Sequence, residues 1–119
     1  MFVNFTNHNS AEWSNTQKEA AEKYGGVIDH SFPDIDPNWD EAQVQALAAE
    51  TAEKIASLKP QAVLCQGEMS FGFRVTELLK EKGITVLCAT SERVTEVSTD
   101  SEGRTIKKSR FEFVRFRRF

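Results

Sequence analysis

The sequence predicts an α/β fold: a Rossmann-like three-layer α/β/α sandwich of four parallel strands, followed by a C-terminal antiparallel β-hairpin. Three observations predict it. Short apolar runs alternate with stretches of helical period through the first three quarters of the chain, the pattern of βαβ units. Ala62 to Cys65 is apolar at every position, as expected of a strand covered on both faces. Beyond Arg93 the pattern changes to two-residue alternation around a polar turn. With 119 residues, the chain is read as one domain, 1–119.

Taken in order, Phe2 to Phe5 is the first strand. Ser14-Asn15-Thr16-Gln17 has the form of a capping box and should start a helix that runs to Tyr24, where Gly25-Gly26 stops it. Val27 to Phe32 is the second strand. Two prolines and three Asx residues between Pro33 and Trp39 predict a loop. Asp40-Glu41-Ala42-Gln43 is a second capping box. It precedes Val44, Leu47, Ala48, Thr51, Ile55 and Leu58, the strongest helical spacing in the chain. Pro60 ends that helix. After the third strand, Ser70 is placed to cap a helix carrying Phe71, Val75, Leu78 and Leu79, closed by Gly83. Ile84 to Ala89 is the fourth strand. Val94 to Thr99 and Arg104 to Phe119 then form the hairpin around Asp100-Ser101-Glu102-Gly103. Between Phe111 and Phe116 the alternation slips by one residue, which predicts a bulge or a change of face. The strand order can be 2-1-3-4 or 3-2-1-4.

Composition narrows the function. No apolar run reaches the roughly 18–20 residues that span a bilayer, so no membrane partner is expected. The N-terminus lacks the basic and long apolar segments of a signal peptide, which predicts a cytoplasmic protein. Cys65 and Cys88 fall inside strands and are read as reduced core residues. No closely spaced Cys or His pair suggests zinc, so no metal is assigned. The net charge of −3 is uneven: residues 1–103 balance at −9 and residues 104–119 at +6. The basic end either attracts a polyanion or guards a hairpin edge against aggregation. Neither G-x-G-x-x-G nor G-x-x-x-x-G-K-[ST] occurs, which excludes ordinary dinucleotide enzymes and P-loop NTPases. No cofactor is implied.

Three predicted strand ends finish in polar residues, and in parallel sheets ligands bind at that edge. The first is Thr6, Asn7, His8, Asn9 and Ser10, with Trp13 behind. Its amides and hydroxyls suit phosphate, sugar or base edges. His8 can act as general acid or base, or can brace its loop. Trp13 can stack on a base or fill core space. The second is Gln66, Gly67, Glu68 and Ser70. Gly67 would let a ligand approach the backbone. Glu68 fits a base, an acceptor for a sugar hydroxyl, or a partner for Arg93. The third is Ser91, Glu92 and Arg93, where Arg93 can clamp a phosphate or pair with Glu68 or Glu92.

With its Asn4-Phe5-Thr6-Asn7-His8 start, its Ser91 to Arg93 cluster and its topology, the chain resembles the CARF domains of type III CRISPR systems. Among these it is most similar to the small stand-alone ring nucleases. The resemblance implies a single CARF-like domain that binds cyclic oligoadenylate (tetra- or hexa-adenylate) across a homodimer. It implies metal-independent cleavage to products ending in 2′,3′-cyclic phosphate, which switches off the antiviral signal. Duplex nucleic acid is not an expected partner. On that reading His8 and Arg93 are catalytic: His8 protonates the leaving oxygen and Arg93 stabilises charge, with Thr6, Asn7 and Ser10 donating hydrogen bonds. Two other readings stand beside it. One is a sensor or sponge that binds without cleaving. The other is a nucleoside-processing enzyme with Glu68 as nucleophile. Glu68 and Glu92 at the predicted rim fit poorly with a polyanion unless they pair with cations or contact hydroxyls.

Overall fold

A computed structural model describes residues 1–119. The chain forms β1 (Phe2–Thr6), α1 (Asn15–Glu22), β2 (Val27–Asp29), α2 (Glu41–Ser57), β3 (Ala62–Gln66), α3 (Met69–Glu81), β4 (Val86–Thr99) and β5 (Thr105–Arg118). A single 3-10 turn, Ser10–Glu12, lies between β1 and α1. The five strands make one mixed sheet in the order β2-β1-β3-β4-β5, parallel except for β5. Of the two orders the sequence left open, this is 2-1-3-4. No helix is long and apolar enough to cross a membrane.

Strand alternation divides the core in two. Val3, Phe5, Val63, Cys65 and Val86 point to one face, where α2 contributes Val44, Ala48, Ala52 and Ile55, and α3 contributes Phe71, Val75 and Leu79. Phe2, Leu64 and Leu87 point to the other, where Ala21 of α1 packs with Trp13, Tyr24 and Phe116 around them. Burial on both faces explains why β3 reads as an unbroken apolar run.

The helix ends follow their predicted chemistry with two differences. Asp40 and Gln43 close a full capping box on α2. On α1 only half the box forms, with Ser14 Oγ accepting from the Gln17 amide. The cap of α3 is Glu68, not Ser70: its carboxylate accepts from the amides of Ser70 and Phe71, and Ser70 only donates its hydroxyl to it. A glutamate reaches those amides as well as a serine does, and its charge also suits the positive end of the helix dipole.

Two strand boundaries differ from expectation. β2 stops at Asp29 rather than Phe32, because Phe32 leaves the sheet to pack between Phe5 and Phe71, at ring-centroid distances of 4.7 and 5.3 Å. β4 does not end at Ala89. It runs on unbroken to Thr99, so the predicted third strand end, Ser91-Glu92-Arg93, is mid-strand and no loop separates strand four from the hairpin. The β-prone Thr and Val residues from Thr90 to Thr99 and the matching length of β5 sustain the pairing.

The result is a two-stranded ribbon that outruns the sheet. β3 pairs with β4 only at Val86 and Leu87. From Thr90 to Thr99 β4 has β5 alone as partner, a projection of about 30 Å at strand rise. The radius of gyration, 17.5 Å, exceeds the roughly 13.5 Å of a compact chain this long. The ribbon carries a bulge: Thr90 pairs with Arg115 and Ser91 with Phe113, leaving Val114 as the extra residue. That bulge lies within the segment where the sequence alternation slips. It places Phe111, Phe113 and Phe116 on the α1 side of the ribbon, with Phe113 and Phe116 rings 4.9 Å apart.

Candidate functional site

Strand order reverses between β1 and β3, because the chain leaves β1 toward β2 on one side and returns to β3 on the other. The carboxyl ends of these two strands therefore diverge and leave a crevice. A cavity of about 790 Å³ lies there. Its floor and one wall come from Thr6, Asn7, His8, Gln66 and Gly67 at the strand ends. A second wall is the end of the 3-10 turn and the start of α1, with Glu12, Trp13, Ser14, Thr16 and Gln17. The third is the ribbon, with Ala89, Ser91, Phe111, Glu112 and Phe113.

The loop after β1 is held by a network beneath it. Asn4, buried in β1, donates through Nδ2 to Asp29 Oδ1 and to the His8 carbonyl, both at 2.7 Å. Asp29 at the end of β2 also accepts from the Ser10 amide at 3.0 Å and the Ser10 hydroxyl at 2.8 Å. Thr6 Oγ1 accepts from the His8 amide and lies 2.9 Å from Asn4 Oδ1. Burial works against charge on Asp29. The hydrogen bonds from Asn4 and from the amide and hydroxyl of Ser10 outweigh it and hold the carboxyl below the usual aspartate value. Thr6 and Ser10 thus brace the loop. Asn9 caps the following turn by accepting from the Ala11 amide.

That bracing sets Asn7 and His8 on the cavity wall with their side chains outside the network. Gln66 is oriented by the Ala89 amide, which donates to its Oε1 at 2.9 Å and leaves its amide nitrogen for another acceptor. Trp13 fills space as well as lining the cavity, packing edge-on against Phe2 and Phe116 at 6.1 and 6.5 Å.

The family model described as the uncharacterized protein MJ1673 family matches residues 1–117. The chain belongs to that family. No curated protein matches it.

Of the residues singled out in this MJ1673-family sequence, Thr6, Asn7, His8, Trp13, Gln66, Gly67 and Ser91 meet at the cavity. Asn9, Ser10, Glu68, Ser70, Glu92 and Arg93 do not line it. Glu68 is occupied in capping α3. Donation from the Ser70 hydroxyl, then from the Phe71 amide, keeps its carboxyl below the usual glutamate value. Arg93 pairs with neither Glu68 nor Glu92 and donates to Ser109 Oγ at 3.3 Å, toward the ribbon tip. Glu92 faces away from the cavity, opposite Glu112. The strand-end placement of this trio fails because β4 continues through it.

Gly67 also differs in its role. A Cβ there would sit 2.3 Å from Cζ of Phe32 and 2.5–2.6 Å from both Cε atoms. The glycine makes room for a core ring, not for a ligand. No lysine or arginine lines the cavity, and of the two glutamates at its margin, Glu12 and Glu112, the second pairs with Arg110. No three His, Cys, Asp or Glu side chains converge as metal ligands would.

Sequence reasoning missed Asn4 and Asp29, which build the loop, and Phe111 and Phe113, which wall the cavity. An asparagine inside an otherwise apolar strand was a readable signal for the first pair, since a buried amide must find partners. The phenylalanines needed the length of the ribbon, which local pattern does not give.

Proposed function

We propose that this chain is a Rossmann-like, CARF-type module whose crevice binds cyclic oligoadenylate and opens the ring without a metal ion, as a homodimer that ends type III CRISPR signalling. The observation that supports the reading most is the cavity itself. It lies at the switch point of the sheet, is large enough for a nucleotide unit, and combines amide and hydroxyl groups with aromatic walls. The first turn of α1 lines it as well, and its end of the helix dipole favours negative charge.

In the reaction, the ribose 2′-oxygen attacks the adjacent phosphorus in line and loses its proton to solvent. The bond from phosphorus to the 5′-oxygen breaks, and His8 gives that oxygen a proton. The product carries a 2′,3′-cyclic phosphate and a 5′-hydroxyl. Asn7, Gln66, Ser91 and Thr16 hold the nucleotide in line, which is the main demand of such a step. Arg93 stands off the wall in the single chain, so its assigned part requires ligand or a second copy to bring it round.

A wall without lysine or arginine favours a second reading, that of a sensor or sponge, because little cationic charge faces the reacting phosphate. The nucleoside-processing alternative draws no support from Glu68, whose carboxylate is committed to the α3 cap.

The test is incubation with cyclic tetra- and hexa-adenylate in EDTA, followed by chromatography. Linear fragments ending in 2′,3′-cyclic phosphate, lost in His8→Ala, support the enzyme. Intact ring that co-elutes with protein supports the sensor. Intact ring with no binding refutes both.

A further inference from the structure

The ribbon presents two features that its own chain leaves unexplained. Phe111 is 75% exposed and Val97 is 64% exposed. A two-stranded ribbon is marginal in water when its apolar residues stay uncovered. The crevice presents the opposite difficulty for an anionic ligand, since no cation lines it.

Strand parity connects the two. Ala89 and Ser91 line the cavity, and Arg93 follows on the same side of β4, about 6.6 Å beyond Ser91 at strand rise. Its partner in register is Phe111, itself at the cavity margin. Two residues further out on β5, Ser109 holds the Arg93 guanidinium, and Lys107 lies beyond it on the same face. The ion pairs of the ribbon use Arg104 and Arg110, with Asp100, Glu102, Glu96 and Glu112 as partners. Arg93 and Lys107 take no part in them. The cavity-side face of the ribbon therefore runs from a pocket without cations to an exposed aromatic ring and then to two cations without carboxylate partners.

We propose that this face is a second subsite for an oligonucleotide, in which Phe111 stacks on a base adjacent to the one in the crevice and Arg93 and Lys107 neutralise the connecting phosphates. The inference rests on the nucleotide reading of the crevice and extends it. The crevice reads one nucleotide by hydrogen bonds, and the ribbon adds affinity only for a ligand of two or more. Base stacking on an aromatic ring and phosphate pairing along a basic track are the means by which single strands are held without sequence readout. Charge complementarity and the bare ring favour this occupant over a second copy of the chain, because the exposed cations on β5 would repel their own kind across the edge.

The experiment measures binding of adenosine monophosphate and of a labelled linear tetra-adenylate, by calorimetry and anisotropy, over a salt series. The variants are Phe111→Ala, Arg93→Gln with Lys107→Gln, and Asn7→Ala with Gln66→Ala in the crevice. Phe111 and the two cations are exposed, so their replacement should leave the circular dichroism and the melting temperature unchanged. The proposal expects the ribbon variants to weaken tetra-adenylate about tenfold or more. The charge variant should also flatten the salt slope by about 1.4. Monophosphate binding should be unaffected. Equal tetra-adenylate affinity in wild type and ribbon variants overturns the subsite and leaves the crevice reading intact. Loss in the ribbon variants with none in the crevice variants overturns the crevice reading and retains the ribbon as a strand-binding face. No binding of either ligand to the wild type overturns both.

Discussion

Replacing Gly67 by alanine is a direct test of whether that glycine serves the core or a ligand. The added Cβ would fall 2.3 Å from Cζ of Phe32, far inside contact distance. The ring cannot yield easily, since Phe5 and Phe71 hold it at 4.7 and 5.3 Å, the latter edge-on. The backbone at Gly67 is not in the left-handed region. The cost is therefore one of overpacking, which runs about 1–3 kcal/mol, a fall of roughly 5–10 °C in melting temperature for a chain this size. The decisive assay is urea unfolding of four proteins: wild type, Gly67→Ala, Phe32→Ala and the double variant. Phe32→Ala alone should destabilise by truncating a half-buried ring. In its background Gly67→Ala should cost less than about 0.5 kcal/mol, giving a coupling above about 0.5 kcal/mol. An equal cost of Gly67→Ala in both backgrounds would refute the steric argument and return the glycine to a role at the ligand.

Asp29 offers a pH test. Its carboxyl is held below the usual aspartate value in the fold, so the folded chain binds that proton less readily than the unfolded chain. The stability it contributes is complete above the unfolded value of about 4 and is lost as pH falls through the lower folded value. Asp29→Asn should lower stability by about 1 kcal/mol at pH 7, with the gap to wild type narrowing below pH 4 in denaturant titrations. A gap that stays constant down to pH 2 would contradict it. The two thiols give a second check. Burial pushes the Cys65 thiol up to about 11, although Thr76 works against the shift, while Cys88 is only half-buried. Mass spectrometry after brief alkylation of native protein at pH 8 should find Cys88 modified before Cys65. Modification of Cys65 first would show that the core around it opens more readily than its burial implies.

Much of the architecture is legible in the residues because it rests on local chemistry. Asp40 and Gln43 mark the start of α2 by side chains that reach only their own backbone, and Val44 to Ile55 mark its buried face by spacing alone. The crevice at Thr6 to His8 and Gln66 follows from strand ends that sequence can locate. What escapes depends on partners distant in the chain. Asp29 acts through Asn4 and Ser10, 25 and 19 residues away. The polar run Thr90 to Glu92 reads locally as a strand end before Arg93, yet pairing with β5 carries the strand onward at no cost in buried polar groups. Glu68 looked like a reacting carboxylate because a capping glutamate and a catalytic one share the same position after a strand. Only the distances to the Ser70 and Phe71 amides separate them.

Val114 shows how much one residue can decide. Below it the ribbon counts in step with the sheet, and above it the count is shifted by one. Were Val114 instead taken into the ladder opposite Ser91, the strand would keep its partner, yet Phe111 and Phe113 would turn to the opposite side and Glu112 would turn inward against the crevice, whereas deleting Val114 would leave every pair and face as it is. The identity of the crevice wall is thus encoded as odd or even, not as a motif. A search for this wall in related chains should compare the spacing between Phe113 and Phe116 before it compares the residues themselves.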